Sequence, residues 1–113
     1  MKSAPQIHLT HVQAIYSGPE GRLWELLMGE QIHIGGFQSS MDLAQRAGIA
    51  ASSRGVDLCC CTGAGMRFLA RFLNVAHMTG VDVTPAMVQL GQQRAFRERR
   101  TECEQGRIHL MRV

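Results

Sequence analysis

The chain has 113 residues, enough for one domain of ordinary size. Hydrophobic residues make up 45% and charged residues 19%, close to the values of folded globular proteins, which excludes a disordered or collagen-like chain. Lysine and arginine number 12 against 9 acidic residues, and only 5% of residues are aromatic, so the pattern of a nucleic-acid-binding surface is absent. Composition therefore argues against nucleic acid as a partner.

The sequence also lacks membrane and metal signals. No apolar run reaches the roughly 18–20 residues that a membrane-spanning helix needs, and the first residues lack the apolar stretch of a secretory signal. Three of the four cysteines, Cys59, Cys60 and Cys61, are consecutive, which fits neither a disulfide framework nor a zinc site. The five histidines have no ligand spacing either. We expect a cytoplasmic protein with reduced cysteines, no metal and no membrane contact.

Residues 1–54 form a helical lead-in. Residues 17–20 read as a helix start, because a proline and a glutamate follow Ser17 and Gly18. Leu23, Trp24, Leu27 and Met28 then share one helical face, and Gly29 ends the pattern. After a loop over residues 31–37, Ser39 or Ser40 is expected to cap a second helix that runs through Ala47.

Residues 55–113 change to a strand-and-helix texture. The apolar residues 56–60 suit a buried parallel strand, and a turn over residues 62–65 leads into a helix. That helix is expected to cover a sheet with Phe68, Leu69, Phe72 and Leu73, and to leave Arg67 and Arg71 in water.

The second half of this region repeats the alternation. A strand is expected from about residue 77 to 83, and Thr84 and Pro85 start a helix that reaches about residue 100. The alternating residues 107–113 predict a third strand. The arginines near the helix end, from Arg94 to Arg100, are interpreted as a solvated helix terminus rather than an RNA site. The fold class is therefore α/β, a parallel β-α-β-α-β unit preceded by two helices.

The sharpest local signal lies where the first strand meets the first helix of that unit. Asp57 precedes a turn that contains Gly63 and Gly65, and Asp82 follows nineteen residues after Gly63, at the end of the next strand. Glycines at such a turn let the backbone approach a ligand closely, and an acidic side chain at the tip of the second strand can accept both hydroxyls of a ribose. The spacing indicates a nucleotide-type site.

These residues resemble a known family. The run Asp57-Leu58-Cys59-Cys60-Cys61-Thr62-Gly63 is similar to the first motif of class I S-adenosylmethionine-dependent methyltransferases, usually Asp-Leu-Gly-Cys-Gly-Thr-Gly. Residues 80–87 resemble the second motif. Upstream, Tyr16, Trp24 and residues 28–36 are similar to the lead-in of N-methyltransferases that act on glycine, sarcosine, dimethylglycine or phosphoethanolamine. The resemblance implies a Rossmann-like fold, S-adenosylmethionine as methyl donor, S-adenosylhomocysteine as product and a small-molecule acceptor.

The resemblance also implies roles for individual residues. Asp57, Cys59, Cys61 and Gly63 would form the donor loop, and Asp82 would take the ribose hydroxyls. Val83 and Met87 would flank the adenine. Tyr16 would lie at the active site as the catalytic residue, and the backbone of Ile34 and Gly35 would close over the donor with the lead-in, residues 1–54, as a lid on the donor-binding unit, residues 55–113.

Two departures from the family pattern matter. Cys59 and Cys61 stand where the family usually has glycine, and the second position is a tight turn where a Cβ would crowd the donor. The sequence also contains only strands 1 to 3 of a seven-stranded sheet, which leaves strand 1 as an open edge. We expect one subunit of a split enzyme, completed by a second polypeptide that brings the acceptor site. The alternatives are a homodimeric, non-catalytic donor-binding or regulatory protein, and a truncated fragment.

Overall fold

The computed structural model describes residues 3–28, 34–98 and 107–113. Its helices are α1 (Leu9–Ser17), α2 (Pro19–Met28), α3 (Gly36–Arg46), α4 (Ala64–Leu73) and α5 (Pro85–Glu98), and its strands are β1 (Arg54–Leu58), β2 (His77–Asp82) and β3 (Ile108–Arg112). The predicted β-α-β-α-β unit is confirmed. Helix α1 was not predicted, although Leu9, Val12, Ile15 and Tyr16 recur at helical spacing, and the stripe that they form is largely exposed.

The three strands form one parallel sheet in the order β1-β2-β3. Val56 lies opposite Thr79, and Gly80 lies opposite Leu110. Strand β1 therefore pairs on one side only, as the sequence predicted. Its side chains Val56 and Leu58 are 64% and 72% exposed, so the expectation of a buried strand is wrong for them. Among the residues that the structure describes, none covers that edge.

The core lies between the sheet and helices α4 and α5. Met66 and Val75 are fully buried, and Met78, Val88 and Leu110 pack in the same cluster. Helix α3 joins this body through aromatic contacts, since the Phe37 ring lies 5.5 Å from the Phe68 ring and 4.8 Å from the Phe72 ring. This core fixes the carboxyl ends of β1 and β2, where the predicted site lies.

Several predicted boundaries differ for local reasons. Strand β1 ends at Leu58 rather than residue 60, because Cys59 adopts a left-handed backbone conformation with φ of 57°. Helix α3 starts at Gly36, ahead of Ser39 and Ser40, with Gly35 as its N-cap. Gly29, predicted to end the first helical pattern, lies outside the described residues, as do residues 31–33 of the predicted loop.

Two arginines also differ from expectation. Arg67 was expected in water but is 4% exposed, and its guanidinium donates a hydrogen bond to the Thr62 carbonyl. Arg94 was expected at a solvated helix end but is half-buried and ion-paired with Glu25. Of the other arginines in that tract, Arg97 is exposed, and residues 99 and 100 lie outside the described part of the chain.

Candidate functional site

The candidate site is built around residues 59–65, the loop that joins β1 to α4. Three alternate residues of this loop have left-handed backbone conformations: Cys59 with φ of 57°, Cys61 with φ of 50° and Gly63 with φ of 79°. Glycine adopts this region freely, whereas a residue with a Cβ does so at a cost. The two cysteines thus occupy glycine-type conformations, which agrees with the family motif placing glycine at both positions.

Asp82, at the end of β2, is hydrogen-bonded to the backbone of the 59–65 loop. Its Oδ2 accepts a hydrogen bond from the Cys61 backbone N–H, and its Oδ1 accepts one from the Thr84 N–H, each at 2.8 Å. The side chain is 6% exposed. One carboxylate therefore ties the loop after β1 to the first turn of α5.

Thr62 anchors the middle of the loop. Its carbonyl accepts the hydrogen bond from Arg67, and its hydroxyl lies 3.4 Å from an Arg94 guanidinium nitrogen. Helix α5 comes this close because position 91 is glycine, where a Cβ would lie 2.7 Å from the Thr62 carbonyl oxygen and 2.4 Å from Leu110 Cδ2. The loop is thus held on several sides by side chains of the core.

A cavity of about 640 Å³ lies between this loop and helix α2, a volume usual for small-molecule sites. Its walls combine the β1–α4 connection, the first turns of α4 and α5, and parts of α1 and α2. They are formed by Tyr16, Ser17, Gly21, Arg22, Trp24, Glu25, Asp57, Cys59, Cys60, Cys61, Thr62, Ala64, Gly65, Ala86, Met87 and Leu90. The cavity can therefore take a small molecule that contacts the loop backbone on one side and helical side chains on the other.

The cavity is electrostatically acidic on its loop side. Burial, together with the negative charge of Asp82, raises the pKa of Asp57 above its ordinary value. Within the described residues, no cation or hydrogen-bond donor is paired with the Asp57 carboxylate. Ionisation of a half-buried carboxyl group next to a second carboxylate costs free energy unless a positively charged group binds beside it.

The same surroundings disfavour ionisation of the Cys60 and Cys61 thiols in the loop. Burial is the main cause that raises the pKa of Cys60 to about 12 and of Cys61 to about 11, and the neighbouring carboxylates add to it. All three cysteines of the triplet are free, and only Cys59 is exposed. The described residues contain no group of three or more His, Cys, Asp or Glu side chains arranged to hold a metal ion.

Helices α1 and α2, together called the lid pair here, are joined to the end of β2 and to α5 by two polar contacts. The Gln13 side-chain amide donates to the Val83 carbonyl at 2.7 Å, which joins α1 to the end of β2. Glu25 of α2 forms its ion pair with Arg94 of α5. These contacts place Tyr16 and Trp24 over the cavity.

The structure brings half of the predicted site residues to this cavity. Tyr16, Asp57, Cys59, Cys61 and Met87 line it. Gly63 belongs to the loop but does not line the cavity, and Asp82 lies behind the loop and accepts a hydrogen bond from it. Val83 contacts the lid pair through its carbonyl. Ile34 is 94% exposed and, like Gly35, is not part of the cavity wall.

Some functional contacts were missed from sequence. Gln13, Glu25 and Arg94 were not assigned to the site, although their contacts hold the lid pair. Gln13 and Glu25 lie 70 and 69 residues from their partners, and a single sequence carries no local signal for such pairs. The arginines near the end of α5 were interpreted together as solvated charge, so the ion pair of Arg94 was not predicted.

Comparison with known proteins assigns the family. Residues 56–112 match the family model described as a methyltransferase domain, which is half of the chain. The chain therefore belongs to the methyltransferase-domain family, and its three parallel strands and preceding helices are the N-terminal part of a class I, Rossmann-like methyltransferase fold. A search of curated proteins gives no match.

Solved structures give the same fold. Phosphoethanolamine N-methyltransferase 2 of Haemonchus contortus, in complex with S-adenosyl-L-methionine, is 18% identical with a TM-score of 0.75, over 98% of this chain and 25% of that one. Its complex with phosphomonomethylethanolamine and S-adenosylhomocysteine is 21% identical with a TM-score of 0.71, over 87% of this chain and 22% of that one. A Galdieria sulphuraria protein assigned as a sarcosine dimethylglycine methyltransferase is 14% identical with a TM-score of 0.67, over 87% of this chain and 42% of that one.

The chain thus spans about a quarter to two fifths of the length of these similar structures. The first of them is similar in fold along 98% of this chain, which includes most of the lid pair. In the ranges that the structure describes, no helix is both long and apolar enough to cross a membrane.

Proposed function

We propose that this chain binds S-adenosylmethionine in the cavity between the 59–65 loop and helix α2, as the donor-binding part of a small-molecule methyltransferase. The observation that carries the proposal is the loop itself: alternate residues in left-handed conformations, tied to the second strand by the Asp82 carboxylate, at the carboxyl edge of a parallel sheet. This is the place and the geometry in which open α/β sheets bind nucleotides.

The electrostatics of the cavity suit this donor. S-adenosylmethionine carries a sulfonium and an ammonium group, and Asp57 lines the cavity as a carboxylate without a described partner. Because burial and Asp82 both disfavour the charged form of Asp57, a cation next to it gains more than it would at an exposed carboxylate. A neutral or anionic nucleotide would lack this charge–charge attraction to Asp57.

Tyr16 is proposed as the residue closest to the chemistry. It lies on α1, is 43% exposed and lines the same cavity as Asp57. A sulfonium donor is already activated, so methyl transfer mainly needs alignment of acceptor and methyl carbon and exclusion of water. The phenol of Tyr16 is in a position to orient a small acceptor such as an amine. Tyr16→Phe is expected to reduce turnover of the complete enzyme more than donor binding, and equal losses in both would make Tyr16 a packing residue.

The acceptor site is proposed to be completed by a second polypeptide that packs against β1. The free edge of β1 and the exposed Val56 and Leu58 support this, because a parallel strand is normally covered on both faces. Beside Val56, a groove of about 560 Å³ runs between α3, β1 and α4 and is lined largely by apolar side chains. In this proposal residues 55–113 bind the donor and residues 1–54 cover it.

Donor binding is tested by isothermal calorimetry of the chain with S-adenosylmethionine, S-adenosylhomocysteine and, as a control, adenosine monophosphate. We expect saturable one-to-one binding of the first two and none of the control, and tighter binding of S-adenosylmethionine than of S-adenosylhomocysteine. This difference in affinity is expected to disappear in Asp57→Asn. Absence of binding by both donor compounds would refute the proposal.

The partner is tested by native mass spectrometry on the protein purified from its own source. A second, different polypeptide retained in the complex supports the split enzyme. A homodimer that binds donor without methyl transfer would instead support the non-catalytic alternative, and a single longer chain carrying these residues would show that the sequence is a fragment.

A further inference from the structure

We infer that Arg94 is a positioning residue that latches the lid pair to the 59–65 loop and thereby sets how tightly the donor is held. The inference rests on the proposed function for the identity of the ligand. The latch itself rests on contacts that are independent of any ligand.

One guanidinium nitrogen of Arg94 reaches both sides of the cavity. The same atom donates to Glu25 Oε1 on α2 and lies 3.4 Å from the Thr62 hydroxyl in the loop. Thr62 is 3% exposed and its carbonyl is held by Arg67, so the loop end of the latch is fixed. Arg94 therefore transmits the position of the loop to helix α2.

Among the described residues, few other contacts hold the lid pair against the core. No residue of α1 is buried, and on α2 the side chains of Leu23 and Leu27 are 56% and 71% exposed. Apolar packing between the lid pair and the core is thus small. The Gln13 contact with the Val83 carbonyl is a neutral hydrogen bond, whereas the Glu25–Arg94 pair is charged and its side chains are each 24% exposed. A partly desolvated charged pair is the stronger of the two kinds of contact.

The latch is positioned to act on the donor without touching the reacting atoms. Glu25 and Thr62 line the cavity, and Arg94 lies behind them. When the lid pair is closed for only part of the time, apparent donor affinity falls by that fraction. Loss of the latch is therefore expected to weaken donor binding by about two- to fivefold, the range of one partly exposed ion pair.

Trp24 reports the latch directly. It is the sole tryptophan of the chain, it lines the cavity, and it precedes Glu25 on α2. We would measure iodide quenching of its fluorescence in the full chain, without ligand, for Arg94→Gln, Glu25→Gln and the double variant. Arg97→Gln on the exposed side of α5 and Glu20→Gln on α2 are matched controls.

The expected result is increased quenching in both single variants, no further increase in the double variant, and no change in the controls. Far-ultraviolet circular dichroism checks that each variant is folded, and Glu25→Gln keeps the test valid where Arg94→Gln fails to fold, because Glu25 is not in the core. Unchanged quenching in Glu25→Gln, or additive effects in the double variant, would overturn the latch.

Calorimetric titration with S-adenosylhomocysteine then tests the effect on the donor. A loss of about two- to fivefold in Glu25→Gln, with wild-type affinity in Glu20→Gln, supports the inference, and equal affinities in both would overturn it. Absence of binding by the wild-type chain would refute the proposed function, while the quenching result would still decide whether the latch exists.

Discussion

Replacing Cys61 by glycine and by alanine gives stabilities whose order is set by the backbone of the 59–65 loop. Cys61 has φ of 50°, where a Cβ costs about 1–2 kcal/mol and glycine pays nothing. At an ordinary position alanine is instead more stable than glycine by about 0.5–1 kcal/mol. Both variants keep the backbone N–H that Asp82 accepts. We expect Cys61→Gly to exceed Cys61→Ala by up to about 1 kcal/mol in the free energy of unfolding, after the entropy of glycine is subtracted.

The assay is urea denaturation of the full chain followed by circular dichroism, with thermal melting as a second measurement. For a chain of this size about 1 kcal/mol corresponds to about 4 °C in the melting temperature. Cys60 is the matched control, because it is buried and does not have positive φ. There Cys60→Ala is expected to be more stable than Cys60→Gly. A result in which alanine is at least as stable as glycine at position 61 would refute the assignment of strain to this loop.

Three further predictions concern the charges and thiols of the loop. The pKa of Asp57 in the folded chain is raised above 3.8, so wild type loses stability as pH rises from about 4 through the raised pKa and the buried carboxyl ionises. Asp57→Asn does not ionise, and we expect its free energy of unfolding relative to wild type to increase from about pH 4 upward in urea denaturation across pH. A difference that stays constant with pH would contradict this. In Asp82→Asn the side chain cannot accept hydrogen bonds from both backbone N–H groups, so we expect a loss of about 1–3 kcal/mol in the free energy of unfolding and faster amide exchange at Cys61 and Thr84. Unchanged exchange at both amides would show that Asp82 does not tie the loop to α5. Iodoacetamide at pH 8 is expected to modify Cys59 before Cys61, because Cys59 is exposed, whereas burial raises the pKa of Cys61 to about 11 and leaves it little reactive thiolate. Labelling of Cys61 as fast as that of Cys59, located by fragment mass spectrometry, would be the contrary result.

Hydrophobic patterning predicted the core of the fold well because its elements have strong periods. The three strands and the two helices between them follow apolar runs and turn signals that depend only on neighbours in sequence. Helix α1 was not predicted even though its apolar residues recur at helical spacing, and the structure leaves none of its residues buried. Strand β1 stops at Leu58 because of a left-handed Cys59, which residue type alone does not indicate.

The loop half of the candidate site was predictable, and the lid half was less so. Asp57, Cys61 and Met87 follow from a local motif and lie at the cavity. Arg94 and Glu25 required tertiary structure, because an arginine on a helix has the same appearance in sequence whether it faces water or an ion-pair partner. The prediction of a water-facing Arg67 failed for the same reason.

The central claim, that the cavity between the 59–65 loop and α2 is the donor site, is tested most directly by nuclear magnetic resonance of the nitrogen-15-labelled chain titrated with S-adenosylhomocysteine. We expect saturable shifts of the amides of residues 59–62, 64 and 65, of Met87 and of the Trp24 indole, which all border that cavity. No shifts at millimolar ligand, or shifts confined to the groove between α3 and β1, would contradict the account.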